Sequence, residues 1–454
     1  MQNDLTEGKI GKKLLFFSLP IIAGMMLQTA FNIVDAFFVG MLGPLELAAI
    51  SLTFPVFFAF IAVASGLGIG ANALVSQAVG RKDRRSANNF SEHAIFIGVV
   101  LGAVSGALGI LSAPLLFTFM GADAQVLPLA VQYSTPIFAG VMLTFLWFVS
   151  DAILRAEGNS ITPMKNLAIA VLLNAILDPL LIFGIGPFPR LGLFGAAITT
   201  VFSDLVAAAL NFHYIYGKKS KVTLALKDFR PNAGCIGAMA SIGLPAAVSQ
   251  ALSSVGFVLL TTLVGGFGAF AIAAYGVGSR VNSVAILPIL GVESAVASFA
   301  GQNIGAKNFG RARKVTMLSA KISLAFAIAA AVAVLFFSEQ IMRVFSQDPQ
   351  VISIGKAFLS IAPLSFVFYG FYFALQGAFE GSGKTGLVLL TNIMYWAVAV
   401  GIAYALSQSI GITGIWVGIV LAAAIECVAV TAIFYSNIWL KPDKKKKPVS
   451  CGPR

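Results

Sequence analysis

Apolar stretches of about 20 residues or more recur along this chain from residue 14 to residue 437, and they decide its fold class. The first contains "FFSLPIIAGMMLQTAF", which carries no charge at all. A helical segment of that length matches the ~30 Å hydrocarbon core of a bilayer. Of the 454 residues, 58% are hydrophobic and 11% charged, and mean hydropathy is +0.91. A soluble domain carries about 25% charged residues. One core cannot absorb this much apolar surface, so the solvent must be lipid. The weak ten-residue alternation of a closed β-barrel is absent. The first span is too long for a signal peptide and has no small-residue cleavage site after it, so it reads as a retained helix.

Hydropathy gives twelve spans: 14–39, 47–75, 90–118, 127–152, 163–185, 193–215, 239–264, 270–299, 315–338, 352–376, 386–408 and 413–437. The expected fold is an all-α polytopic membrane protein, with twelve transmembrane helices in two pseudo-symmetric six-helix lobes around a central cleft. A cytoplasmic segment 1–13 precedes the N-lobe (14–215). A basic linker (216–238) leads to the C-lobe (239–437), and a basic tail (438–454) follows. The basic clusters "GRKDRR", "YGKKSKVTLALKDFR", "GAKNFGRARK" and "KPDKKKK" all fall on one side if the N-terminus is cytoplasmic. The other side holds only Arg190, Arg343 and Lys356, which places both termini in the cytoplasm of a cell inner membrane.

The net charge of +12 then belongs to anionic lipid headgroups rather than to nucleic acid, because no basic patch is interleaved with aromatics in a soluble segment. Cys235, Cys427 and Cys451 lack metal spacing, and His93 and His213 are too separated for a metal cluster.

The chain repeats itself at an offset of 225 residues, set by aligning Pro20 with Pro245. "GPLELAAIS" falls on "GAFAIAAYG", "SQAVGRKDRRSA" on "GQNIGAKNFGRA" and "LRAEGN" on "FEGSGK". "GLFGAAITT" matches "GITGIWVGI" at an offset of 219. Parallel lobes around a cleft are one of the standard transporter plans. Asp35 meets Leu260 in the second copy, and Asp178 meets Ala403 or Ala397, so these acids belong to the N-lobe alone.

A carboxylate at bilayer depth costs roughly 2.5–3.5 kcal/mol on insertion scales, which marks it as functional by default. Gln28, Asn32 and Asp35 are spaced i, i+4, i+7 and form one polar stripe on a helix. Asn174 and Asp178 are four apart on the fifth span, as are Thr200 and Asp204 on the sixth. Such stripes must face one another, since facing lipid leaves them unsatisfied. Two carboxylates brought together in low dielectric require a proton or a cation between them. Asp151, at the end of the fourth span, is a secondary candidate with Gln28, Asn32 and Asp204. Glu293, near the inner end of span eight, and Glu426, near the middle of span twelve, rank below these as sites. Arg280 sits mid-membrane and calls for a partner that the sequence does not name. Pro20 removes a backbone hydrogen bond and supplies a bend point in the first helix.

"SLPIIAGMMLQTAFNIVDAFFVGMLGPLELAAISLTFPV", "ILRAEGNS" and "NAILDPLLIFGIG", set in twelve spans and two lobes, resemble the multidrug and toxic compound extrusion (MATE) transporters over essentially the whole chain. Within the family the chain is similar to the DinF-like branch, whose cation site lies in the N-lobe. The resemblance implies that Asp35 and Asp178 are the essential acids and that Asn174 and Thr200 are neighbouring polar ligands. It also implies a backbone carbonyl contributed by Ala196. Asp151 falls where some relatives have asparagine. The NorM-like branch keeps an acid eight residues after the proline of the seventh helix; here that position is Ser253. The implied protein is a monomeric antiporter without a cofactor. It expels hydrophobic, often cationic compounds in exchange for H+ or Na+, with no metal beyond Na+ at the coupling site, and membrane lipids surround it.

Two rivals are weighed. A lipid-linked oligosaccharide flippase needs a strongly basic cleft, yet only Arg280 lies deep in a span. An intramembrane enzyme needs a nucleophile with its base, a metal triad or an aspartyl pair, and the two histidines lie outside any motif. "GSGKT" at 381–385 lacks the first glycine of a phosphate loop, since that position is Ala378, and a membrane helix precedes it, so ATP is not the expected energy source.

Overall fold

A computed structural model describes residues 4–217, 220–225 and 229–441. The tail from 442, with its lysines and Cys451, lies outside the described residues, as do Lys218, Lys219 and Lys227 of the linker. Among the described residues the secondary structure is helical throughout, without a strand. In chain order the helices are α1 (Ile10–Gly40), α2 (Pro44–Gly80), α3 (Arg84–Phe119), α4 (Val126–Ala156), α5 (Ile161–Phe183), α6 (Leu193–Tyr216) and α7 (Ala233–Gly265). Then come α8 (Ala269–Gly305), α9 (Phe309–Phe336), α10 (Ser338–Phe345), α11 (Pro349–Ile361), α12 (Leu364–Gly381), α13 (Thr385–Ile410) and α14 (Ile412–Tyr435). Helices dominate because hydrocarbon offers backbone N–H and C=O groups no partners, so each span must satisfy its own.

Eleven of these helices are long and apolar enough to cross a membrane, and α11 with α12 makes a twelfth span bent by 46°. The break falls at Ala362 and Pro363, where the proline ring and its missing N–H interrupt the helical ladder. The tenth expected span is therefore a broken helix. Large side chains on α3 show what a lipid-facing surface looks like here, with Leu111, Leu115 and Phe119 exposed by 75–89%.

The repeat extends to backbone detail. Lys82 and Lys307, 225 residues apart, are both left-handed, with φ 60° and 58°. Asp83 caps α3 by accepting from Ser86 N at 3.0 Å, and Asn308 caps α9 by accepting from Arg311 N at 3.2 Å. Asp123 Oδ1 accepts from Val126 N, just as Asp348 Oδ1 accepts from Val351 N. Even the change of offset to 219 is kept, since Gly192 and Gly411 both have positive φ before α6 and α14.

The described chain divides into two compact units. The first comprises Ala23–Ala247, in which α4 packs against α2, α3 and α6, and α5 against α6. Its interior includes Phe90, Phe138, Phe145 and Ile153. The second comprises Leu5–Ile22 and the chain from Val248 on, with α12 packed on α8, α9 and α14. Phe358, Phe366 and Trp416 fill its interior. Both α1 and α7 contribute to both units, and each changes membership two residues after its internal proline, Pro20 or Pro245.

Candidate functional site

One set of buried polar groups in the first unit lies where α5 meets α6. Gly195 permits this approach, because a Cβ there would stand 2.8 Å from the Leu181 carbonyl oxygen. The helices are registered by Leu191 N donating to Leu181 O at 2.8 Å and Gly192 N to Ile182 O at 3.1 Å. Asn174 and Asp178, both fully buried, face the joint from α5, and Asn174 Nδ2 donates to Asp178 Oδ1 at 3.3 Å. From α6 the buried Thr199 hydroxyl donates to the same Asp178 oxygen.

Ala196 brings its carbonyl to this group, 2.9 Å from the Thr199 hydroxyl and 3.1 Å from that of Thr200. Among the described residues Thr200 therefore bonds to its own helix alone, and Thr199 is the threonine that touches Asp178. Asp35 on α1 lies within electrostatic reach of Asp178, and the buried Tyr133 on α4 within reach of both acids. Neither Thr199 nor Tyr133 stands out by spacing or motif. Three oxygens here, Asp35 Oδ1, Asp178 Oδ2 and Asn174 Oδ1, are buried without a hydrogen-bond partner among the described residues. Such orphans carry a desolvation cost that a proton or a small hard cation relieves.

The remaining candidates are placed elsewhere. Gln28 is half-buried and Asn32 exposed, and no hydrogen bond joins either to Asp35 among the described residues. Asp204 accepts from the Thr144 hydroxyl on α4. Asp151 pairs with Arg155 at 2.7 Å, one turn along its own helix. Pro20 lies inside α1, which is helical from end to end. In the second unit Glu426 accepts from Gln376 Nε2 at 3.2 Å, while Glu293 lies within electrostatic reach of Glu380 and Glu426. Arg280 is exposed, and no ion pair or hydrogen bond to it occurs among the described residues.

The family model described as MatE matches residues 20–180 and again residues 245–407, beginning each time at the proline that anchors the repeat. The chain belongs to the MatE family. MATE proteins are transporters rather than enzymes, which removes the intramembrane-enzyme reading. An "FAD transporter" of Shewanella oneidensis is 33% identical over 80% of this chain and 81% of its own length. A "Probable multidrug resistance protein YoeA" of Bacillus subtilis is 27% identical over 96% of each chain. Among solved structures, an outward-facing multidrug resistance MATE family transporter superposes with a TM-score of 0.91 at 27% identity, covering 96% of this chain and 98% of that one. A MOP superfamily transporter from Pyrococcus furiosus Vc1 gives 0.90 at 28% identity, covering 96% and 97%. The MATE chain described here is thus a multi-pass membrane transporter of small molecules.

Proposed function

We propose that this MATE protein is a secondary active exporter that expels hydrophobic, often cationic compounds in exchange for H+ or Na+, with Asp35 and Asp178 as the exchanging acids. The observation that carries this reading is the set of three partnerless buried oxygens on Asp35, Asp178 and Asn174. Oxygen donors of this kind suit a proton or Na+ equally, and no softer ligand stands among them. Thr199 and Asn174 hold the Asp178 carboxylate in place while the ion exchanges. The termini are taken to be cytoplasmic, as the loop charges require.

Linkage makes the coupling testable, because a bound proton must weaken drug binding by the factor by which drug weakens proton binding. Affinity for a fluorescent cation such as ethidium, measured in detergent from about pH 5 to 8, should fall with pH in the wild type. In Asp35→Asn it should be weak and flat, and cells producing that variant should be as drug-sensitive as cells with empty vector. Wild-type resistance from Asp35→Asn would overturn the assignment. Repeating the titration against Na+ at constant pH identifies the ion.

A second cargo class is favoured by the relative in Shewanella oneidensis, whose described cargo, FAD, is an organic anion carrying two phosphates. We take organic anions as a further substrate class for this chain.

A further inference from the structure

We infer that Arg280 is the oxyanion-recognising residue of the transporter, taking the phosphate or carboxylate of an amphipathic organic anion. The inference rests on the exporter reading and gives its anionic cargo a place to bind. Arg280 is the twelfth residue of the 37-residue α8, about 16 Å along the axis from one end and about 37 Å from the other. At that depth an arginine is too far from either helix end to snorkel into headgroups. A structural arginine in a membrane helix is buried against a carboxylate or backbone carbonyls. Arg280 is exposed instead and has no such partner among the described residues. A guanidinium facing hydrocarbon is strongly disfavoured, so this face of α8 fronts water.

The residues around it agree. Ala273, Gly276, Arg280 and Ser283 fall on one helical face, and all four are exposed. A Cβ built at Gly276 would meet nothing within 4 Å, so there is open room one turn from the guanidinium. The lipid-facing stretch of α3, with Leu111, Leu115 and Phe119, has a quite different make-up. Ile272 and Val284, half-exposed beside the small residues, offer apolar surface to the body of an amphipath. Nor does the duplicated scaffold demand a cation here, since the matching position in the first copy is Pro55. A guanidinium binds phosphate and carboxylate through paired N–H donors, a geometry that lysine lacks.

Binding of riboflavin and FMN, which differ by one phosphate, is measured by flavin fluorescence on purified protein in detergent, with ethidium as the opposite charge. Wild type should bind FMN at least tenfold more tightly than riboflavin. Arg280→Gln should erase that preference and strengthen ethidium binding, and Arg280→Lys should keep part of the preference. Equal binding of the two flavins by wild type, or an FMN preference that survives Arg280→Gln, would overturn the inference; the first comparison decides even if the variants do not fold. In nanodiscs, displacement of FMN by phosphatidylglycerol but not phosphatidylcholine would identify a lipid headgroup as the oxyanion source. FMN binding unaffected by either lipid would identify a soluble organic phosphate. Gradient-driven ethidium efflux by wild type tests the exporter reading separately, so loss of one result leaves the other intact.

Discussion

One hydroxyl hydrogen on Thr199 serves two acceptors, the Asp178 carboxylate and the Ala196 carbonyl. Thr199→Val removes a hydrogen bond to a charged group, worth about 1.5–3 kcal/mol, from a carboxylate whose one other donor among the described residues is Asn174. On the proposed reading, in which Asp178 exchanges the ion, that exchange should then change by roughly tenfold or more, read as a matching loss of gradient-driven efflux in liposomes. Thr200→Val removes only a bond within its own helix, so its efflux should stay within about twofold of wild type. Equal losses from the two variants would dissociate Thr199 from the ion site. The sequence shows why the choice between them is hard. Both are threonines on the same apolar helix, and the four-residue spacing to Asp204 favours Thr200. Only the packing of α5 on α6 turns Thr199 toward Asp178. Asp35 and Asp178 stand out in the sequence as candidates, because a carboxylate in an apolar run has few innocent explanations. Their immediate partners do not, and Gln28 and Asn32, in perfect helical register with Asp35, make no bond to it.

Between elements, glycine sets how closely helices approach. A Cβ on Gly381 of α12 would stand 2.1 Å from the Ala297 carbonyl oxygen on α8. Gly381→Ala must push these helices apart, an overpacking that costs typically 1–3 kcal/mol. A lowered melting temperature should result, whereas Gly386→Ala, with nothing within 4 Å of the new carbon, should leave it unchanged or slightly raised, since alanine favours the helix. The linker is fastened differently. Glu157, just past the end of α4, accepts from Lys221 N and the Ser220 hydroxyl, both at 2.8 Å. Asn88 accepts from Thr223 N and Glu92 from Ala225 N. Burial pushes the Glu157 carboxyl above its usual range, and the hydrogen bonds from the Lys221 amide and Ser220 offset this only in part. Its contribution to docking is thus fully present below the ordinary glutamate value of about 4.3 and is lost as pH rises through the raised one. Hydrogen exchange at residues 220–225, corrected for intrinsic rates, should show protection declining with pH in wild type and flat in Glu157→Gln. The apolar lengths reveal where each span lies, yet the break in the tenth is carried by Pro363 alone. Proline within a span is common here, as Pro55, Pro114 and Pro136 inside unbroken helices show, so its presence does not predict a break.

At the scale of the whole molecule, the two copies agree down to left-handed lysines and helix caps, because polar loops and caps are fixed by local chemistry that duplication preserves. That is why the fold could be read from a single chain. The assignment of helices to units was not legible, since hydropathy reports where a span begins and ends and is silent on which neighbours it packs against. Leu5–Ile22 belongs with the unit that starts again at Val248, and the first half of α7 belongs with the other. Leu5 shows it directly, its amide donating to Gln302 Oε1 at 3.2 Å. A gene severed within the linker would therefore yield two polypeptides, each carrying a strip of helix that completes the other. Produced alone, either fragment leaves an apolar groove unfilled and should be degraded. Produced together, they should reconstitute drug resistance by strand-exchange-like complementation, and a pull-down of one tagged fragment should recover its mate. Fragments that restored resistance singly would show that the exchanged helix ends are dispensable.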